Sequence, residues 1–377
     1  MRILFACGGT AGHINPALAV AGLMRERHPG ADILFAGNPS GMEATLIPEA
    51  GYGFAPIEVL GFQRRLSFRN IKNNLRAAAY LMSASGKAER IIRDFSPDIC
   101  LGTGGYVSGP VLRKAARMKI PTLTHESNAF PGITTKLLSR CVDKVLIPYP
   151  EVAKRLPKGC KPVVTGNPVR REILLADRAA ARRRLGVGER ICLLSFGGSL
   201  GAARVNEAVA ELIAATRPGG KLHHIHATGR YGEADFRRLL KERGTDAAGD
   251  PHLDIRAYID DMPDCLAAAD LVVCRAGAIS VTEIQAAGRA AILIPSPNVA
   301  ENHQYYNADA LASRNAAVLL EEKDLTGKRL TEIVRSLVSD PQELYNIGQN
   351  ASSMAVADAT ERICQEMEEL LRNRRII

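Results

Sequence analysis

Two short segments, Gly8-Gly9-Thr10-Ala11-Gly12-His13 and Gly197-Gly198-Ser199-Leu200-Gly201-Ala202, each follow an apolar run and lead into an alanine-rich stretch. A strand that turns through glycine into a helix leaves the first helical N–H groups unpaired at the positive end of the macrodipole. That arrangement suits a phosphate or a developing anion. His13 falls where the first such helix begins, and a helix N-terminus favours the neutral imidazole that a general base requires. Blander readings stay open on these loops alone: a histidine can be structural, and a glycine pair can merely let a helix pack close to a strand. His125, at another strand end in Thr124-His125-Glu126-Ser127-Asn128, is a second and weaker candidate base. His223, His224 and His226 read as members of a strand.

Two further turns carry similar chemistry. Gly102-Thr103-Gly104-Gly105-Tyr106-Val107-Ser108-Gly109-Pro110 adds exposed N–H groups after an apolar run ending at Leu101, and two such loops on one sheet edge can hold a diphosphate. Cys274-Arg275-Ala276-Gly277-Ala278-Ile279-Ser280-Val281-Thr282-Glu283 gives strand, tight turn and helix. Its Glu283 can accept both hydroxyls of a ribose, or can simply complement the helix dipole. The first loop is not a dinucleotide fingerprint, because Gly8, Gly9 and Gly12 do not fit G-x-G-x-x-G. Asp32 opens the second strand rather than closing it, so it is discounted as a ribose ligand.

Short apolar runs must position these turns. They are Ile3–Ala6, Asp32–Ala36, Ile99–Leu101, Thr122–Thr124, Lys144–Ile147 and Pro162–Thr165 in the first half, then Ile191–Phe196, Leu271–Cys274, Ala291–Ile294 and Ala317–Leu320 in the second. Continuous apolar strands alternating with helices predict parallel sheets covered on both faces. At 377 residues the chain is long for one core, and two α/β domains are expected. The link is placed near Gly166-Asn167-Pro168, giving domains at 1–165 and 166–345, with a helical tail over 346–377 returning to the first. The N-terminus enters a strand pattern at once, so no signal peptide is expected. No apolar run reaches the roughly 18 residues that span a bilayer. Eight cysteines without a C-x-x-C pair predict reduced thiols in a cytosolic protein and no zinc site.

The charge is lopsided. Residues 1–165 carry 22 Lys and Arg against 11 Asp and Glu, a net of +11, while 166–377 carry 27 against 29, a net of −2. A basic half meets anions such as a membrane surface or nucleic acid, or is kept for solubility. Residues 62–82 mix Arg64, Arg65, Arg69, Lys72 and Arg76 with Phe62, Leu66, Phe68, Ile71 and Leu75. Phe68, Ile71 and Leu75 can share one helical face, which fits either an interfacial segment on anionic lipid or an ordinary surface helix. Aromatics make up only 5% of the chain and no nucleic-acid module is recognisable, so nucleic acid is excluded as a partner.

Seven segments taken in order resemble the MurG family of bacterial glycosyltransferases: Gly8–Ala17, Gly104–Pro110, His125–Asn128, Thr165–Arg170, Gly197–Ala202, Cys274–Glu283 and His303–Ala308. The resemblance implies a GT-B fold, two Rossmann-like parallel-sheet domains facing a central cleft. It also implies an inverting transfer of N-acetylglucosamine from UDP-N-acetylglucosamine to the C4 hydroxyl of lipid I, the undecaprenyl-diphosphoryl N-acetylmuramoyl-pentapeptide, giving lipid II for peptidoglycan.

Carried onto matching positions, Glu283 would hold the ribose, and Ser199 and Arg170 the donor diphosphate. The backbone at Ile259 would meet uracil. Ala278, Ile279, Ser280, Val281 and Thr282 would line the donor site, and Gln304 and Asn128 would bind sugar hydroxyls. Thr10, Ala11 and Gly12 would reach the donor beside His13 as base, while Gly104, Gly105, Tyr106 and Ser108 would face the acceptor diphosphate. Two positions depart from the family pattern. Ala11 stands where glycine is common, which requires a negative φ, and His303 precedes Gln304 where some relatives have glutamine.

Positioning and electrostatics would dominate such a reaction. No protein-bound metal or other cofactor is expected, and any divalent ion would ride on the diphosphate. The lipid acceptor implies peripheral association with the cytoplasmic face of the inner membrane. The rivals are a diacylglycerol glycosyltransferase, which should lack the Gly104–Pro110 and His125–Asn128 pair, and a non-catalytic sugar-nucleotide scaffold, which need not keep His13, Asn128, Glu283 and Gln304 together.

Overall fold

The computed structural model describes residues 1–59, 83–217, 220–230, 232–245 and 249–377. The segment 62–82, with Arg64, Arg65, Phe68, Arg69 and Lys72, lies outside the described residues. The chain divides into two units, Met1–Pro168 with Asp358–Ile377, and Val169–Ala357.

The first unit holds seven parallel strands, β1 (Arg2–Ala6), β2 (Asp32–Gly37), β3 (Gly53–Pro56), β4 (Ile99–Gly102), β5 (Thr122–His125), β6 (Lys144–Ile147) and β7 (Pro162–Val164), in the order β3-β2-β1-β4-β5-β6-β7. The inner strands are apolar at nearly every position because both faces are covered. One face packs Ile3, Phe5, Ile99 and Leu101 with Ile14, Ala17, Val20 and Met24 of the helix Ala11–Arg27. Phe5 and Phe35 stack at 4.8 Å between ring centroids, a contact worth about 1 kcal/mol beyond its buried area. The same face takes Ile363, Cys364, Met367 and Leu371 of the C-terminal helix Ala359–Asn373. That helix is tied down by Lys144, whose Nζ lies 2.5 Å from Glu366 and 2.7 Å from Glu369.

The second unit repeats the plan with β8 (Ile191–Phe196), β9 (Leu222–Ala227), β10 (Leu253–Arg256), β11 (Leu271–Cys274), β12 (Ala290–Leu293) and β13 (Val318–Leu319), ordered β10-β9-β8-β11-β12-β13. Here the helix Pro341–Ser353 stays with the second unit, whereas the sequence placed the break at 345/346. Ile347 and Ala351 enter the second unit's cores, and Gly348 sits so close to the Gly288 carbonyl that an added Cβ would lie 2.6 Å from it. Only the helix from Ala359 joins the first unit.

In both sheets the strand order reverses once, between β1 and β4 and between β8 and β11. A doubly wound sheet opens its crevice at such a reversal, outside the carboxyl ends of the strands. The Gly8 and Gly102 loops flank the first reversal; the Gly197 and Arg275 loops flank the second.

Candidate active site

The helix Ala11–Arg27 begins at Thr10, whose hydroxyl caps none of the helix N–H groups. The helices Ala203–Thr216 and Ala278–Ala287 also start without a side-chain cap, after Ala202 and Gly277. Most other described helices start uncapped too, and a side chain caps only three of them: Asp177 accepts from Ala180 N–H at 2.6 Å, Thr326 from Arg329 N–H at 3.1 Å and Asp340 from Glu343 N–H at 3.0 Å. Helix starts beside the two strand reversals thus keep donors for another partner.

In the first unit, Ala11 and Gly12 open the helix. Ala11 is absent from the residues with positive φ, as its side chain requires, and Gly9 takes the turn instead with φ +88°. The His13 Nδ1–H donates to the Gly8 carbonyl at 3.0 Å, so in the neutral ring the lone pair resides on Nε2. Thr103 Oγ1 donates to the His13 carbonyl at 2.6 Å and ties the helix start to the end of β4.

The Gly102–Pro110 loop folds directly against this loop. Gly104 has φ +113°, and a Cβ there would overlap the His13 ring and lie 2.8 Å from Nε2; a Cβ on Gly105 would strike the Gly8 backbone. Tyr106 is 55% exposed on the same loop. Ser108 corrects the sequence reading. It is fully buried, and its hydroxyl faces the Ala6 carbonyl at 2.8 Å and the Gly104 carbonyl at 2.7 Å while accepting from Gly104 N–H at 3.2 Å. It shapes the loop and offers no donor to a diphosphate.

His125 is buried, donates from Nε2 to the Gly166 carbonyl at 3.2 Å, and burial holds its pKa below the usual value. Its ring is uncharged at neutral pH and buried, whereas His13 is only partly buried. Its neighbour Glu126 organises Asn128: the carboxylate accepts from Asn128 N–H and Nδ2 at 3.0 Å each, from Gly132 N–H at 2.9 Å and from Thr135 Oγ1 at 2.7 Å.

The second unit contains a cleft of about 480 Å³. Gly197, Gly198, Gly201 and Ala202 form one wall, Gly277 and Ser280 another, and Ser296, Asn298 and Gln304 a third. Gln304 Oε1 accepts from Ser296 N–H at 2.9 Å, while the neighbouring His303 turns Nδ1 back to the Ala300 carbonyl at 2.8 Å. Gln304, not His303, therefore borders the cleft. Glu301 and Asn302 hold left-handed backbone, φ 55° and 52°, immediately before this helix, and such strain clusters where ligands are gripped.

Three charged residues of the cleft were not assigned roles from the sequence: Arg204, Arg275 and Glu322. Arg275 pairs with Glu322 and donates to the Ile294 and Pro295 carbonyls at 3.3 and 3.2 Å. Of the predicted donor residues, Ser280 and Gln304 line the cleft. Ser199 is exposed at the tip of its loop, and Ala278 and Ile279 are half-buried at the helix start. Val281, Thr282 and Ile259 turn their side chains into the protein, leaving only backbone to contribute.

Glu283 is buried as well, and Arg170 Nε donates to its Oε1 at 2.7 Å. Burial raises the Glu283 pKa, with the Arg170 bond and charge opposing. Among the described residues no cluster of three His, Cys, Asp or Glu could hold a metal, and no helix is long and apolar enough to cross a membrane. The three strand histidines are core residues; burial pushes His226 down to about 3 and His224 to about 4.

Residues 3–147 match the glycosyltransferase family 28 N-terminal domain, and residues 192–363 match the glycosyltransferase family 28 C-terminal domain. The UDP-N-acetylglucosamine--N-acetylmuramyl-(pentapeptide) pyrophosphoryl-undecaprenol N-acetylglucosamine transferase of Acetivibrio thermocellus is 44% identical over 375 residues, 99% of each chain. The chain belongs to the MurG family. The crystal structure of Acinetobacter baumannii MurG matches at a TM-score of 0.77 and 28% identity, covering 98% of this chain and 99% of that one. The calicheamicin glycosyltransferase CalG4 shares the fold at a TM-score of 0.69 with only 16% identity, over 98% of both chains. The two reversed parallel sheets are thus a GT-B architecture, and four of the seven segments, Gly8–Ala17, Gly104–Pro110, Gly197–Ala202 and Cys274–Glu283, fall on the loops at the sheet reversals.

Proposed function

We propose that the protein transfers N-acetylglucosamine from UDP-N-acetylglucosamine to undecaprenyl-diphosphoryl N-acetylmuramoyl-pentapeptide, producing lipid II. The observation that carries this reading is the 44% identity with a transferase of that name, over 99% of each chain and so across both domains. Glycosyltransferase chemistry of this kind needs a base for the acceptor hydroxyl and counter-charge for the departing nucleotide.

His13 Nε2 takes the proton of the acceptor C4 hydroxyl. That oxygen bonds to the anomeric carbon as the bond to the β-phosphate oxygen breaks, and UDP leaves with the electron pair, inverting the centre. Arg204 and Arg275, with the uncapped helix starts after Ala202 and Gly277, meet the charge on UDP. Glu283 accepts the ribose hydroxyls, Arg170 and Ser199 meet the diphosphate, the backbone at Ile259 meets uracil, and Gln304 and Asn128 orient the sugar. Gly104, Gly105 and Tyr106 face the acceptor diphosphate. This reading assigns no protein-bound metal, and any divalent ion would be carried by the diphosphate.

Purified protein with UDP-N-acetylglucosamine and a lipid I analogue should release UDP and form the disaccharide. UDP release only with a diacylglycerol acceptor would overturn the assignment, and full turnover by His13→Ala would remove that residue from the base role. The lipid acceptor and the +11 net charge of residues 1–165 favour peripheral association with the cytoplasmic face of the membrane through 62–82. Neutralising Arg64, Arg65 and Arg69 should weaken binding to anionic liposomes; unchanged binding would sink that assignment.

A further inference from the structure

Glu43 has no exposed surface and no cation against it among its hydrogen bonds. Its carboxylate accepts from Gly9 N–H at 3.1 Å through Oε2 and from Asn38 N–H at 3.0 Å through Oε1. Glycines surround it: a Cβ on Gly37 would lie 2.7 Å from Glu43 Cγ, one on Gly41 2.5 Å from Cδ, and one on Gly8 2.7 Å from Cδ. The cradle is shaped to this one side chain.

The N–H held by Glu43 belongs to the peptide group that joins Gly8 to Gly9. The carbonyl of that same peptide accepts from His13 Nδ1–H at 3.0 Å. One planar unit therefore lies between a buried carboxylate and the imidazole, with its donor end on the first and its acceptor end on the second.

The peptide has a second orientation. Glycine on both sides makes a flip sterically cheap, and Gly9 already sits at φ +88°. Flipped, the peptide would aim N–H at His13 Nδ1, force the ring to protonate on Nε2, and remove the lone pair from the nitrogen that faces Gly104. We propose that Glu43 is a positioning residue: by holding the Gly9 N–H, it locks the Gly8 carbonyl toward His13 and so fixes the Nδ1–H tautomer with Nε2 basic. The carboxylate also polarises the peptide, which strengthens the Gly8 carbonyl as an acceptor. The logic is that of a carboxylate orienting a catalytic histidine, with a peptide group interposed.

This inference rests on the assignment of His13 as base, and the test separates the two. Histidine ¹⁵N spectra of the full chain, with His13 identified by its loss in His13→Gln, should show the Nδ1–H tautomer at neutral pH, the form that free imidazole disfavours. In Glu43→Gln, an acceptor-only carboxylate becomes an amide whose NH₂ must face one of the two N–H donors. His13 should then shift toward Nε2–H. The kcat should fall about tenfold to a hundredfold, a part of what a general base contributes, while the donor KM changes less than about twofold.

A wild-type His13 protonated on Nε2 would overturn the proposal, as would Glu43→Gln with unchanged tautomer and kcat. If Glu43→Gln fails to fold, judged by loss of the melting transition, Glu43→Asp reads the same tautomer, because its shorter carboxylate reaches one donor and not both. If His13→Ala keeps full turnover while the tautomer responds to Glu43, the base assignment falls and the positioning role stands.

Discussion

Gly104→Ala tests whether the ring of His13 must stay where the glycine loop lets it lie. A Cβ at this position would stand 2.8 Å from Nε2 and overlap the adjacent ring carbon, where about 3.5 Å is the ordinary separation. Relief requires the ring or the loop to retreat by roughly 1 Å. The backbone adds its own penalty, since φ +113° is a conformation that alanine holds at a cost of about 1–3 kcal/mol. A misplacement of about 1 Å at a reacting group lowers turnover by roughly a hundredfold. The expected variant therefore melts earlier and has a kcat down by about two orders of magnitude. Its affinity for UDP, read by titration calorimetry, should be unchanged, because the nucleotide loops belong to the other unit. Turnover within about threefold of wild type, in a protein whose melting has shifted as expected, would refute the placement of His13 at the reacting atoms.

The pH dependence of donor binding should follow Glu283, whose carboxyl is raised by burial and held down by Arg170. Ribose recognition uses the ionised form, so the donor KM should climb as pH falls, starting above the usual carboxylate range, and Arg170→Met should move that climb to higher pH; a flat KM from about pH 5 to 8 would contradict this. Arg275→Met should weaken UDP binding by about tenfold or more, since it removes a charged donor from the cleft and strands Glu322, and unaltered affinity would take Arg275 out of the site. Ser108→Ala should cost about 1–3 kcal/mol by denaturant unfolding, because Gly104 N–H and two carbonyls lose their partner, without changing UDP affinity.

What could be read from the chain follows the range of the interactions. The glycine loops were legible because strand, turn and helix are consecutive, and the inner strands were legible because both their faces are buried. The edge strands β3 and β10 were missed: Gly53-Phe54-Ala55-Pro56 carries glycine and proline, and Leu253-Asp254-Ile255-Arg256 alternates with charge, as edges do. Glu43 could not be placed, since it meets Gly9 across 34 residues and nothing local distinguishes it from a helix-opening glutamate. The Arg275–Glu322 pair spans 47 residues and was hidden for the same reason. Ser108 looked like a loop donor until the loop folded back on β1.

The two halves use one backbone device for opposite electrostatic purposes. After β8, the uncapped helix start is joined in the cleft by Arg204 and Arg275, so positive charge is added to the positive end of a dipole. Such a place stabilises an anion strongly and would be a poor home for a base, because neighbouring cations oppose the positive charge that a base gains when it takes up a proton. After β1, the same turn has a carboxylate beneath it, a neutral peptide above that, and a histidine as the last member of the series. The buried carboxylate offsets the positive end of the helix dipole. A phosphate would therefore be less welcome at the first loop than at the second, although the glycine patterns look alike. This predicts a direct comparison: Glu43→Gln should lower kcat, yet it should increase the affinity of the first loop for inorganic phosphate, seen as stronger phosphate inhibition of the acceptor reaction. Equal or weaker phosphate inhibition would mean that Glu43 acts on geometry alone and not through its charge.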